Sequence, residues 1–245
     1  MIDSCQSKVA NMAKRFPDRA AGGKLLAREL SKYADRKDIL ILGLPRGGVP
    51  VAFEVANALH APLDVFVVRK LGVPGHEELA MGAIATGGVR ILNYGVIHAM
   101  NIPNEVIEAV AAREHLELKR RELAYRGHTS APEVRAKTII LVDDGIATGS
   151  TMLAAVAALK QQQPARIVVA SPTAPAPSLD ELQLEVNEVV VISTPDPFYS
   201  VGQAYEVFAQ TSDEEVRELL ADARITRCYG EREASRQNPA ASSAD

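Results

Sequence analysis

The chain has 245 residues, of which 47% are hydrophobic and 24% are charged, and its formal net charge is −4. This length and composition are those of a globular domain with a well-buried core. The small negative charge excludes a general electrostatic attraction to nucleic acid or to an anionic membrane surface. The two cysteines, Cys5 and Cys228, exclude a disulfide framework, and no apolar stretch is long enough to span a bilayer, so we expect a cytoplasmic protein.

Five short apolar runs predict the strands of one sheet. They are Ile39–Gly43, Leu63–Val68, Thr138–Val142, Arg166–Ala170 and Val189–Ile192. Because each run is continuously apolar rather than alternating, it is typical of a strand buried on both faces of a parallel sheet. Helical patterns accompany these runs at Arg19–Ala34, with Asp18 as its N-cap, at Val49–Leu59 and at Gly149–Gln162. The alternation predicts a doubly wound α/β fold, in which ligands bind beyond the carboxyl ends of the strands.

A long segment between the second and third of these strands departs from the alternation. Leu71–Glu78, with its glycines and proline, is predicted as a loop, and Ala83–Ala85 with Val89–Leu92 as a small hairpin. Pro103–Tyr125 is predicted as a helix with a proline near its start. The polar residues 229–245 are predicted to be a disordered tail.

Residues 139–152, which read IILVDDGIATGSTM, carry the strongest chemical signal. The apolar run ends in Asp143 and Asp144, and a short loop of small and hydroxyl residues precedes an alanine-rich helix. Carboxylates accept hydrogen bonds from sugar hydroxyls, and backbone N–H groups at a helix start favour a phosphate. The loop has neither the lysine of a P-loop nor the glycine spacing of a dinucleotide-binding turn. It therefore indicates a sugar-phosphate pocket, or else a structural turn capped by an aspartate.

Two further loops carry basic residues at the ends of predicted strands. In the run Leu44–Gly48, Gly47 and Gly48 allow a ligand to approach the backbone closely, and Arg46 is a natural partner for pyrophosphate. Arg69 and Lys70 follow the second strand. Each loop could instead be a plain surface turn with solvated basic side chains.

These three motifs, in this order and each at the end of a predicted strand, resemble those of the type I phosphoribosyltransferase family. The resemblance covers roughly residues 18–220. The runs at 44–50 (LPRGGVP), 68–72 (VRKLG) and 198–202 (FYSVG) are similar to bacterial phosphoribosyltransferases of unassigned acceptor. The resemblance implies one phosphoribosyltransferase domain over residues 1–228. It also implies a small hood near 1–35 and 193–225, and a mobile lid loop over Leu71–Met81.

The resemblance also assigns roles to residues around phosphoribosyl pyrophosphate (PRPP). Asp143 and Asp144 would hold the ribose hydroxyls and, largely through PRPP, a Mg²⁺ ion. The residues implied for the 5-phosphate are Gly145, Ala147, Thr148, Gly149, Ser150 and Thr151. The residues implied for pyrophosphate are Arg46, Gly47, Gly48, Arg69 and Lys70. Asp143, Asp144, Arg69 and Lys70 are thereby the implied catalytic residues, since they would stabilise the charges that develop as pyrophosphate leaves.

The implied activity is transfer of 5-phosphoribosyl from PRPP to a nitrogenous, nucleobase-like acceptor. Members of the family are commonly homodimers, so the resemblance also implies a homodimer. Members that act on 6-oxopurines carry an aspartate where this chain has Ala147, so a lid carboxylate, Glu77 or Glu78, is the candidate to take the acceptor's proton. Phe198 or Tyr199 could stack on the acceptor, although packing of a C-terminal subdomain explains these aromatics equally well. The rival interpretation is a non-catalytic regulator that senses PRPP on the same fold; no nucleic-acid-binding motif is recognised.

Overall fold

The protein is described here by a computed structural model that covers residues 15–237, with the backbone alone for 226–237. In chain order its elements are α1 (Arg19–Glu29), β1 (Ile39–Gly43), α2 (Gly48–Leu59), β2 (Leu63–Val65), β3 (Val68–Val73), β4 (His76–Ala85), β5 (Val89–Leu92), α3 (Tyr94–Ala99), α4 (Asn104–Arg126), β6 (Thr138–Val142), α5 (Ser150–Gln161), β7 (Arg166–Thr173), α6 (Ala176–Glu185), β8 (Glu188–Ser193) and α7 (Asp213–Gln237). Short 3₁₀ helices lie at Ser31–Tyr33 and Val201–Ala204.

The main sheet has five parallel strands in the order β2-β1-β6-β7-β8, which confirms the predicted doubly wound fold. Alternate residues of β1 point to opposite faces. Ile39 and Ile41 belong to the core cluster that includes residues of α1, α2, α4 and α7, whereas Leu40 and Leu42 belong to the cluster that includes residues of α5 and α6. Because both faces are covered, every residue of β1 and β6 is buried, and the sequence of each strand is apolar without alternation.

The second predicted strand and the predicted lid loop are wrong in their boundaries. β2 ends at Val65, and Val68 already belongs to β3 of a separate antiparallel sheet, β3-β4-β5. Phe66 and Val67 are buried at the crossing between the two sheets, which explains why the apolar run continues through them. Leu71–Glu78 is not a loop, because β3 and β4 pair antiparallel from Val68↔Ala85 to Val73↔His76 and turn at Pro74 and Gly75.

Smaller differences concern helix ends and the C-terminus. Asp18 caps α1 as predicted, its side chain accepting from the Ala21 N–H, but the helix ends at Glu29 rather than at Ala34. A 3₁₀ turn follows because Leu30 and Tyr33 both enter the core. The backbone of α7 is helical over 229–237, where a disordered tail is predicted, and 238–245 lie outside the described residues. Within 15–237, no helix has the length and apolarity needed to cross a membrane.

A buried ion pair fixes the end of α4 to the edge strand β2. Arg126 Nε donates to Asp64 Oδ1 at 2.8 Å, and the two side chains are 3% and 9% exposed. The Arg126 guanidinium also donates to the Val65 carbonyl and to Glu122. The pair therefore holds the α4 and β3–β5 side of the molecule against the main sheet.

We expect Arg126→Ala to lower the free energy of unfolding by about 3–5 kcal/mol, because it leaves the buried Asp64 carboxylate without its charged partner. Arg120→Ala is the matched control on the same helix: it removes an exposed ion pair with Glu117 and should lower stability by less than about 1 kcal/mol. Urea denaturation of the two variants measures the difference. Equal losses would contradict a special role for the buried pair.

Candidate active site

Two loops meet at the carboxyl ends of the adjacent strands β1 and β6. We call residues 44–48 the glycine loop and residues 143–151 the acidic loop. Their backbones are joined where the Leu44 N–H donates to the Val142 carbonyl at 2.8 Å. A Cβ on Gly47 would lie 2.1 Å from Asp144 Oδ2, and a Cβ on Gly48 would lie 2.7 Å from the Val142 carbonyl oxygen. Only glycine fits at these positions, so the backbone of the glycine loop packs directly against the Asp144 carboxylate.

The two acids of the acidic loop have different surroundings. Asp143 Oδ1 accepts from the Asp144 N–H at 2.9 Å, and burial, reinforced by the neighbouring Asp144 charge, raises the pKa of Asp143 well above its usual value. Asp144 Oδ2 instead accepts from Arg19 Nε at 2.7 Å. The Tyr205 hydroxyl donates to the Asp144 carbonyl at 2.5 Å, and burial, followed by the Asp144 charge, raises the pKa of Tyr205.

The rest of the acidic loop leads into the start of α5. Gly149, with φ of +75°, precedes Ser150, the first residue of that helix. The hydroxyls of Thr148 and Ser150 are 3.1 Å apart, and both residues are exposed together with Ala147 and Thr151. Ser178 Oγ donates to the Ala147 carbonyl at 2.6 Å and fixes the loop from α6. Exposed hydroxyls and a helix N-terminus together form the kind of surface that binds phosphate.

Gly145, in the same loop, is buried rather than exposed. A Cβ on Gly145 would lie 2.2 Å from Val201 Cγ1, so the 3₁₀ turn at Val201–Ala204 sits directly against it. Gly145 therefore packs against the hood, and its phosphate-binding role stays a prediction.

The structure separates the predicted basic pair Arg69 and Lys70, because successive side chains of a strand point to opposite faces. Lys70 Nζ lies 3.5 Å from Ser150 Oγ, so Lys70 reaches the acidic loop. Arg69 Nη2 and Nε lie 2.6 and 2.9 Å from Glu114 Oε2 on α4, and Glu114 is also bound by Arg113. The ion pair with Glu114 therefore holds the Arg69 guanidinium against α4 and away from the acidic loop.

Arg46 of the glycine loop lies near α7. Its Nη1 is 3.8 Å from Asp213 Oδ1, which also accepts from the Tyr125 hydroxyl at 3.0 Å. Burial, followed by the hydrogen bond to Asp213, raises the pKa of Tyr125 to about 12. The Arg46 ion pair is long and its side chain is 36% exposed, so the guanidinium is held loosely beside Gly47 and Gly48.

Glu77, the predicted lid carboxylate, lies at the exposed tip of the β3–β4 ribbon. Its Oε1 accepts from the Gly75 N–H at 3.2 Å, and backbone hydrogen bonds from its own N–H and from Gly75 lower its pKa. Within the described residues, no hydrogen bond or ion pair connects Glu77 to the acidic loop.

The aromatic residues of the hood divide into two groups. Tyr205 and Phe208 stack with their ring centres 5.2 Å apart, and Phe16 tilts against Tyr205 at 5.6 Å, so these three rings serve packing. Tyr199 is 84% exposed and Phe198 is half-buried. Phe208 is 40% exposed in spite of its stacking, so Phe198, Tyr199 and Phe208 are the hood aromatics that keep exposed surface.

Arg19, Tyr205 and Val201 contact the acidic loop and were not expected there from the sequence. Arg19 and Asp144 are 125 positions apart, and no local pattern connects the first residue of a capped helix to a loop that far away. The only sequence signal is indirect, since an arginine at a helix start is disfavoured by the dipole and suggests an acidic partner.

The site offers few side-chain ligands for a metal ion. Among residues 15–225, whose side chains the structure describes, no cluster of three or more His, Cys, Asp and Glu side chains could hold a metal ion. Asp143 and Asp144 alone would supply one or two carboxylates. That number fits Mg²⁺, which is commonly held by one or two carboxylates together with substrate phosphates.

Comparison with known proteins gives a consistent result. A family model described as "Phosphoribosyl transferase domain" matches residues 12–194. Two Mycobacterium tuberculosis proteins, both named "Putative phosphoribosyl transferase", are 44% identical over 207 residues, which are 84% of this chain and 46% of each relative. The chain thus spans about half the length of these curated relatives.

A solved structure has the same fold over nearly the whole length of the solved chain. The crystal structure of TT1426 from Thermus thermophilus superimposes with a TM-score of 0.76 at 39% identity, covering 85% of this chain and 98% of that one. The family model covers well over half of the sequence. The chain therefore belongs to the phosphoribosyl transferase family and has the type I fold of that family.

Proposed function

We propose that this domain transfers the 5-phosphoribosyl group of PRPP to a nitrogenous, nucleobase-like acceptor and releases pyrophosphate. The observation that supports this most is the contact between Gly47 and Asp144, whose Oδ2 occupies the place of a Cβ. A glycine loop suited to pyrophosphate thus lies against carboxylates suited to ribose hydroxyls, as a donor that carries both groups requires. Membership of the family supports the same donor.

In the proposed reaction the bond between C1′ of ribose and the pyrophosphate oxygen breaks, and the electron pair leaves with pyrophosphate. The lone pair of an acceptor nitrogen forms the new bond to C1′, and that nitrogen releases its proton to a base. Positive charge develops on the ribose ring as the anion departs. Asp143 and Asp144, at the 2′- and 3′-hydroxyls, would stabilise this charge electrostatically.

The departing anion needs cations on its own side. We assign Arg46, Lys70 and Arg69 to this role, together with the backbone N–H of Gly47. The Gly48 N–H already donates to the Leu44 carbonyl at 3.0 Å, so Gly48 would contribute by letting the anion approach the backbone closely. Lys70 already lies beside Ser150, whereas Arg69 would have to exchange Glu114 for a phosphate oxygen. Asp143 and Asp144 would hold Mg²⁺ together with PRPP oxygens, and the bound ion would neutralise charge on the leaving group.

The acceptor is the less constrained part of the proposal. Ala147 offers no carboxylate, so the acceptor's proton must go elsewhere, and Glu77 would need the β3–β4 ribbon to bend toward the acidic loop. Phe198 and Tyr199 offer the ring surface for stacking on a planar base. The proposal extends to a homodimeric, cytoplasmic protein of nucleotide metabolism without a membrane or nucleic-acid partner.

Replacing both acids, Asp143→Asn with Asp144→Asn, should abolish PRPP binding while the fold is retained, because amides cannot supply the charge that ribose and Mg²⁺ require. Isothermal titration with PRPP and Mg²⁺ measures the affinity, and circular dichroism checks the fold. Asp180→Asn with Glu181→Gln is the matched control, since it removes two adjacent exposed acids from α6. Absence of wild-type binding at millimolar PRPP, or full affinity in the double variant, would contradict the proposed donor site.

Gly47→Ala should weaken PRPP binding at least tenfold, equivalent to about 1.4 kcal/mol. Its methyl group would lie 2.1 Å from Asp144 Oδ2 and must displace either the carboxylate or the glycine loop. Gly95→Ala in α3 is the control, because its nearest neighbour, Asn93 Oδ1, is 3.3 Å away. Isothermal titration of both variants with PRPP measures the two affinities. Unchanged affinity in Gly47→Ala would show that the contact is not needed for donor binding.

Turnover distinguishes the enzyme from a regulator that only senses PRPP. Incubation of the protein with PRPP, Mg²⁺ and a panel of nucleobases should release pyrophosphate steadily with at least one base. Tight PRPP binding without pyrophosphate release for any base would favour the sensor.

A further inference from the structure

Arg19, the first residue of α1, contacts three separate segments of the chain. Its Nε donates to Asp144 Oδ2 at 2.7 Å, and its Nη1 donates to the Ala209 carbonyl at 2.6 Å. Its Cζ lies 4.0 Å from the centre of the Phe208 ring. The Arg19 side chain is only 12% exposed, so its guanidinium is enclosed and its direction is fixed.

Asp144 is held from two sides by this part of the structure. Arg19 engages Oδ2 of the carboxylate, and the Tyr205 hydroxyl engages the main-chain carbonyl. Tyr205 in turn stacks on Phe208, the ring that Arg19 covers. Among residues 15–225, whose side chains the structure describes, Arg19 is the cation bonded to the Asp144 carboxylate, and its bond is to Oδ2 rather than to Oδ1. Arg19 thus fixes one carboxylate oxygen, and within this described part of the chain Oδ1 is the oxygen that has no cation bound to it.

From this geometry, and resting on the proposed function above, we propose that Arg19 is a positioning residue for the donor. It sets the rotation of the Asp144 carboxylate so that Oδ1 faces the ribose hydroxyls of PRPP. Its positive charge also reduces the repulsion between the adjacent Asp143 and Asp144 carboxylates. Because Arg19 is bound to Ala209 and Phe208, the hood and the ribose site form one connected unit.

A purely structural role for Arg19 makes a different prediction from a positioning role. If Arg19 only fastened the hood, any variant that loosens the hood equally should weaken PRPP binding equally. Tyr205→Phe provides this comparison, because it removes the hydrogen bond to the Asp144 main chain and leaves the Asp144 carboxylate and its Arg19 partner in place. Arg28→Ala removes an exposed charge from the same helix and is the matched control.

The experiment is isothermal titration of each full-length variant with PRPP in the presence of Mg²⁺, beside urea denaturation of the same samples. Arg19→Ala should raise the Kd for PRPP at least tenfold. Arg19→Lys, which keeps the charge, should bind within about threefold of wild type, and Arg28→Ala within twofold. Tyr205→Phe should raise the Kd much less than Arg19→Ala, even where its loss of stability is as large. If Arg19→Ala does not fold, Arg19→Gln replaces it, with affinity at least fivefold below that of the lysine variant.

The outcomes separate this inference from the function on which it rests. A wild-type protein that does not bind PRPP overturns both. A wild-type protein that binds PRPP while Arg19→Ala binds it within twofold overturns the inference alone. The same holds if Arg19→Ala and Tyr205→Phe, at equal loss of stability, weaken binding by equal factors, because Arg19 would then act only through the hood.

Discussion

The close approach of the glycine loop to Asp143 and Asp144 is the contact on which the site depends. Gly47 and Gly48 have no side chains, and the space that a Cβ would take is filled by a carboxylate oxygen and a main-chain carbonyl. The parallel pairing of β1 with β6 brings these loops to one edge of the sheet. The sheet aligns two strand ends and the glycine pair lets them touch, so the acids of one loop lie directly against the backbone of the other.

The hood packs directly against the acidic loop. Tyr205 and Arg19 hold Asp144 from its main chain and its carboxylate, and Val201 closes over Gly145 where no side chain would fit. Phe16 and Tyr205 are buried in this packing, and Phe208 stacks on Tyr205 while staying partly exposed. Apolar and aromatic groups from residues 16–19 and 201–208 thus support the two acids of the domain.

Much of this arrangement could be predicted from the sequence, because it is encoded locally. Strands buried on both faces appear as unbroken apolar runs, so the sequence predicts β1 and β6 with their observed bounds. The positions of the glycine loop and the acidic loop follow from the ends of these two strands. The ribbon of β3 and β4 was missed because Gly72, Pro74 and Gly75 read as a flexible loop, whereas Pro74 and Gly75 form a tight turn. The separation of Arg69 from Lys70 and the contact of Arg19 with Asp144 depend on strand direction and on tertiary packing, which no local pattern records.

The central claim is that one donor molecule spans the glycine loop and the acidic loop. A crystal structure of the protein grown with PRPP and Mg²⁺ tests it most directly. We predict the ribose hydroxyls at Asp143 and Asp144, the 5-phosphate at residues 147–151 and the pyrophosphate at residues 46–48. Electron density for PRPP elsewhere on the protein, with these two loops unliganded, would contradict the account.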